Sequence, residues 1–173
     1  PYYGDPQRDR AVATLKNSLA SSKPLAIPSK FPELKEGDEL ILHDAFGTIH
    51  YKGEGIFIAG GAGITPFISI FKDLQAKHEI GSNKLIFANK TKADIILEEP
   101  FTKLLGNNFI NILSEETLPD YAHGYITQEF IENVCHGMDK IFYLCGPPQM
   151  VEAVEKQLNL LRVYEKSIVK ETF

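Results

Sequence analysis

From Gly55 onward the chain alternates between two hydrophobic rhythms. Short apolar runs at Gly55–Ala59, Lys84–Ala88, Phe109–Leu113, Phe142–Cys145 and Ser167–Val169 are separated by stretches whose apolar positions recur at helical spacing. A run such as Ile56-Phe57-Ile58-Ala59 has no polar face, so it predicts a strand covered on both sides. Phe67, Ile70, Phe71 and Leu74 stand at i, i+3, i+4 and i+7 and predict a helix from about Pro66 to Lys77. Met150, Val151, Val154, Leu158 and Leu161 mark another over Gln149–Arg162. Thr127–Cys135 reads as a helix with Thr127 as N-cap, Phe130, Ile131 and Val134 inward, and Gly137 as a stop. Ile95–Leu105 reads as mostly helical, with a break at Pro100 and a stop at Gly106. Repeated strand–helix units predict an α/β fold: a five-stranded parallel sheet in the order 3-2-1-4-5 with helices on both faces.

Before Gly55 the rhythm is different. Glu36-Gly37-Asp38 and Asp44–Gly47 read as turns, with strands at Glu39–His43 and Thr48–Tyr51. Ser18–Ser29, rich in serine, alanine and proline, reads as loop. The expected division is therefore residues 1–53 and 54–173. A length of 173 residues accommodates one domain and a piece of a second.

Two turns carry candidate chemistry. After the first strand come Gly60-Gly61-Ala62-Gly63-Ile64-Thr65-Pro66. Glycines there allow positive φ and bring bare backbone to a ligand. Pro66 fits the start of a helix, where its missing N–H costs nothing. Loop amides and the helix N-terminus make an anion site suited to a pyrophosphate, with the Thr65 hydroxyl nearby. The spacing is not G-x-G-x-x-G. A plain strand-to-helix turn would use the same residues. After the fourth strand come Cys145-Gly146-Pro147-Pro148-Gln149-Met150, in which the prolines end the strand and set the backbone direction. Ligands of open parallel sheets bind beyond the carboxyl ends of the strands, so both turns can line one crevice. Taken alone, Cys145 reads as a small buried hydrophobe.

Together these two motifs resemble the ferredoxin–NADP reductase superfamily. Leu85-Ile86-Phe87-Ala88-Asn89-Lys90-Thr91 with Asp94-Ile95-Ile96-Leu97, His123-Gly124-Tyr125-Ile126-Thr127 and the terminal Glu171-Thr172-Phe173 resemble further segments of it. The resemblance covers about Glu33 to Phe173. It implies an NAD(P)H-dependent flavin oxidoreductase in which a nicotinamide dinucleotide passes hydride to FAD, and electrons move on to a protein or small acceptor. It implies that Gly60, Gly61, Ala62, Gly63, Ile64, Thr65 and Pro66 hold pyrophosphate and nicotinamide. Cys145 would stand by the reacting carbon of the nicotinamide, Gly146, Pro147 and Met150 would shape the pocket, and Phe173 would cover the flavin. Glu171, beside that aromatic, could assist proton or hydrogen-bond chemistry; as a tail residue it would simply be solvated. Asn89 and Lys90 belong to the second-strand segment, and Ser114-Glu115-Glu116 to the loop that grips the 2′-phosphate in NADPH-specific members. Here glutamate stands where an arginine would, so repulsion predicts NADH over NADPH, with Lys90 or Lys92 able to restore some phosphate binding.

The chain also departs from the pattern. A flavin barrel takes on the order of 100 residues in this family, and residues 1–53 read as a partial or truncated antiparallel β-barrel. The nearest counterpart of the flavin signature Arg-x-Tyr-Ser/Thr is Lys23-Pro24-Leu25-Ala26, where lysine offers a point charge in place of a fork and the ring and hydroxyl are missing. The alternative reading is accordingly a dinucleotide-binding module or subunit without its own flavin.

Composition narrows the field. A net charge of −5 with mixed signs argues against nucleic acid as a partner. No apolar run reaches the roughly 18 residues of a membrane span, and no signal peptide is visible. Cys135 and Cys145, two cysteines at wide spacing, form neither a disulfide framework nor a metal pattern, so no metal is expected and a cytoplasmic setting is. His43, His50, His78, His123 and His136 show no ligand spacing.

Overall fold

The computed structural model describes residues 49–135 and 137–172. Six strands, β1 Gly55–Gly60, β2 Lys84–Asn89, β3 Phe109–Leu113, β4 Ala122–His123, β5 Ile141–Gly146 and β6 Ile168–Thr172, form one sheet in the order β4-β3-β2-β1-β5-β6. Every neighbouring pair is parallel. The five strands expected from the apolar runs pair in the expected order. The addition is β4, whose two residues join the edge beside Ile112 and Leu113. So short a strand has no period of its own, and pairing alone defines it.

Side chains alternate across β1, so both faces need cover. Ile56 and Ile58 enter a core with Ile86, Phe142, Leu144 and the inward faces of α3 Gln128–Cys135 and α4 Pro148–Leu160. Phe57 and Ala59 enter the opposite core with Phe87, Tyr143 and the inward faces of α1 Thr65–Ala76 and α2 Glu98–Leu105. Phe67, Phe71 and Leu74 of α1 are buried, as their spacing predicts, while Ile70 is half-buried at the stripe's edge.

Helix ends follow local chemistry. Thr127 Oγ1 accepts the Phe130 N–H at 3.2 Å, the N-cap bond expected at α3. Gly106, at φ 53°, ends α2. Pro100 does not break that helix: it lies in the first turn, where its N–H is not needed. The helix also starts later than Ile95. Thr91 and Asp94 close a capping box on a short 3-10 turn at Lys92–Asp94, and Leu97 turns left-handed at φ 54° before α2 begins. Ile49 to Tyr51 carry no regular secondary structure, and the partner expected for them in a hairpin, Glu39–His43, is outside the described residues. Glu39–His43, the barrel expectation, Lys23-Pro24-Leu25-Ala26, His136 and Phe173 lie outside the described residues.

Candidate functional site

The chain runs from β1 through α1 to β2 on one side, while β5 lies on the other side of β1. The carboxyl ends of β1 and β5 therefore flank the point where the strand order reverses, the place where such sheets open a crevice. Ala59 and Cys145 are register partners across that gap. The two turns singled out in the sequence thus leave the sheet side by side.

They are packed turn against turn. A Cβ added at Gly63 would overlap the Cys145 carbonyl and lie 2.7 Å from Gly146 Cα, and one at Gly60 would overlap Met150 Sδ and reach Pro147 Cδ at 3.1 Å. Side chains are excluded there by the approach of the second turn itself. Gly61 differs: it sits at φ +51°, and a Cβ there would meet nothing within 4 Å. Its backbone faces open space.

The remaining candidates take distinct places. Ala62 is exposed, and its carbonyl accepts the Thr65 hydroxyl at 2.9 Å, so that hydroxyl ties the turn to the first residue of α1. Pro66 is the second residue of α1 and half-buried. Ile64 is fully buried with Phe57 and Phe67, so only its backbone is available to a ligand. Asn89 follows Ala88, the last residue of β2 paired to β1, and so stands at the carboxyl end of the sheet. It is nine-tenths buried, its carbonyl accepts the Ser114 N–H at 3.0 Å, and its Nδ2 has no hydrogen-bond partner. A buried donor without an acceptor is costly unless water or a ligand oxygen meets it.

Cys145 is 2% exposed, within the α1-side core. Burial, and then the Glu171 carboxylate, push its thiol up to about 11. At neutral pH it is therefore a neutral, apolar wall rather than a nucleophile. Glu171 is its register partner on β6, so those two candidates are brought together, with Thr65 placed on the β1 turn instead.

Farther out, the loops after β2 and β3 are stitched to each other. Glu115 N–H donates to the Lys90 carbonyl at 3.0 Å, and Lys90 Nζ pairs with Glu115 Oε1 at 3.1 Å. That pair is exposed, and the carboxylate raises the Lys90 pKa through a hydrogen bond and its charge. Lys92 N–H donates to Glu116 Oε2 at 2.7 Å, while its ammonium stands 5.2 Å from the Tyr121 ring centroid. Both lysines that the sequence offered to a phosphate are thus engaged, one of them with the glutamate itself.

Sequence reasoning missed a polar group at the opposite end of the sheet. Asn83 is fully buried and accepts the Gly55 N–H at 2.8 Å through Oδ1. Its Nδ2 donates to Ile80 O at 2.9 Å and to the Tyr51 hydroxyl at 3.2 Å. The Tyr143 hydroxyl accepts the Lys52 N–H and donates to Gly53 O, both at 2.8 Å. An asparagine just before an apolar strand was the available signal.

Comparisons with known proteins agree with this geometry. The family described as "Oxidoreductase NAD-binding domain" matches residues 57–156. A component of the Na(+)-translocating NADH-quinone reductase of Yersinia enterocolitica is 29% identical over 94% of this chain, and its Haemophilus influenzae counterpart is 28% identical. The chain spans 44% of the Yersinia protein's length. Among solved structures, the cytochrome b5 reductase domain of Ulva prolifera nitrate reductase superposes with TM-score 0.70 at 23% identity, covering 82% of this chain and 64% of that one. An Amycolatopsis cytochrome P450 reductase gives 0.64 at 28% identity, covering 83% and 46%. No helix among the described residues is long and apolar enough to cross a membrane. With the family match spanning more than half of the chain and both of its site turns, this protein belongs to the oxidoreductase NAD-binding domain family.

Proposed function

We propose that this chain binds NADH, in preference to NADPH, at the carboxyl edge of β1 and β5 and presents it for hydride transfer to FAD, from which electrons pass to a protein or small acceptor. The observation that carries this reading is the interlock of the Gly60–Gly63 turn with Cys145, Gly146, Pro147 and Met150, which leaves the Gly61 backbone open. The residues fit a dinucleotide. Gly61, the α1 N-terminus and the unpaired Asn89 amide offer donors to pyrophosphate and ribose oxygens. Pro147, Met150 and the uncharged Cys145 thiol wall the nicotinamide end. Bound there, the dinucleotide supplies a hydride. The protein's part is to orient the ring and keep charge and water from it.

The NADH preference rests on charge. A 2′-phosphate near the β3 loop would meet Glu115 and Glu116, and Lys90 is already paired. The flavin side of the site, with Phe173 and any barrel, falls outside the described residues. The loss of the Arg-x-Tyr-Ser pattern at Lys23-Pro24-Leu25-Ala26 supports the second reading, dinucleotide binding by a subunit without its own flavin.

An anaerobic visible spectrum of the full-length protein, before and after NADH, tests both. A flavin band that bleaches on adding NADH is expected. A protein that stays colourless after FAD is supplied, yet binds NADH, overturns the first reading in favour of the second. Specificity constants for the two nucleotides test the preference, and a clear advantage for NADPH overturns it.

A further inference from the structure

The segment leading into β1 is held by side chains from elements distant in sequence. The Tyr143 hydroxyl closes on both sides of the Lys52–Gly53 peptide, accepting one N–H and donating to the next carbonyl, across some 90 residues of chain. Asn83 secures Gly55 and Tyr51 from the other side. The rings of Tyr51 and Tyr143 stack with centroids 6.1 Å apart, and Tyr143 stacks on Phe57 at 4.3 Å. Ser82 Oγ donates to Glu54, and Ile49 packs against the α1-side core. Core packing alone does not call for this. A phenylalanine at position 143 would fill the same space, and only the hydroxyl reads the backbone of Lys52 and Gly53. Tyr143 also lies two residues before Cys145 on the same strand and the same face, so one rigid strand joins the clamp to the proposed nicotinamide wall.

We propose that Tyr143, with Asn83, clamps the connector Tyr51–Gly55 and that Tyr143 is thereby a positioning residue. It fixes the course of that connector relative to the edge where hydride departs. The positioning role rests on the proposed hydride transfer; the clamp does not. Two neutral hydrogen bonds of ordinary strength correspond to about a tenfold change in how often the connector opens.

The test compares Y143F with the unsubstituted full-length protein by timed trypsin digestion and by turnover. Lys52 is exposed in the clamped connector, and Lys166 is an exposed site on a distant turn. Cleavage after Lys52 is expected to quicken by about tenfold while cleavage after Lys166 stays unchanged, and kcat is expected to fall severalfold at constant KM for NADH. Equal cleavage after Lys52, or parallel acceleration at both sites, overturns the clamp. Faster cleavage at Lys52 with kcat and KM unchanged overturns the positioning role. If the unsubstituted protein neither holds flavin nor turns over, the proposed function and the positioning role fall together, while the digestion still decides the clamp.

Discussion

The inner and outer parts of the carboxyl edge are built on opposite principles. Around β1 and β5 the site is made of close-packed backbone and uncharged side chains: Gly60 and Gly63, whose Cβ positions are taken by a neighbouring turn, the buried neutral Cys145 thiol, Pro147 and Met150. Around β2 and β3 it is made of exposed charge, with Lys90 on Glu115 and Lys92 N–H on Glu116. Gly60 and Gly63 cannot carry a side chain without displacing the facing turn, so under the proposed function the inner part would hold what every nicotinamide dinucleotide shares. The outer part can vary at little cost to the fold, since exposed ion pairs contribute only about 0–1 kcal/mol. Under the proposed function, discrimination between dinucleotides would belong there.

Substitutions can break this contrast. The largest effect is expected at Gly63. Gly63→Val would drive a side chain into the Cys145 carbonyl, so a loss of about 3 kcal/mol or more and no measurable NADH binding are expected from thermal denaturation and nucleotide titration. A variant with unchanged Tm would show that the two turns are not interlocked. Gly61→Val probes the open face. The positive φ costs about 1–2 kcal/mol, and the new side chain would stand where the dinucleotide is proposed. Native circular dichroism with an affinity loss of about a hundredfold is expected; unchanged affinity would move the ligand elsewhere.

The buried thiol sharpens the inner region through pH. The Cys145 pKa is raised from 9.0 to about 11, so the folded state favours the protonated form. Its contribution is complete below the ordinary thiol pKa and is lost as pH rises from about 9 through 11, on the order of 2 kcal/mol in all. Denaturation profiles at pH 7, 9 and 11 should show this decline, and Cys145→Ala should flatten part of it. The smallest expected effect lies in the outer region. Glu115→Arg should shift the ratio of specificity constants toward NADPH by about tenfold while leaving Tm within a degree or two. A large stability loss in that variant would mean the two regions are not distinct.

Much of this was legible because it depends on local pattern. The buried runs of β1, β2 and β5, the apolar run of β3, the inward stripe of α1 and the Thr127 cap all follow from residue spacing and short-range bonding. Pro100 was misread because its effect depends on whether it stands inside a helix or in its first turn, and the left-handed Leu97 just before α2 decided that. The bonds from Asn83 to Gly55 and Tyr51 and from Tyr143 to Lys52 and Gly53 join segments distant in sequence, and no local pattern announces them.

By itself, then, the sequence determined the alternation of strands and helices, the parallel sheet order and the two turns that leave the sheet side by side. Each is dictated by periodicity, by proline and glycine stereochemistry, or by chain connectivity. Only the tertiary structure decided that Gly63 meets the Cys145 carbonyl, that Lys90 is already neutralised by Glu115, that the Cys145 thiol stays protonated, and that Tyr143 holds the connector. Those depend on which atoms of distant segments come within a few ångströms of each other. Packing sets that separation, and a one-dimensional pattern does not carry it.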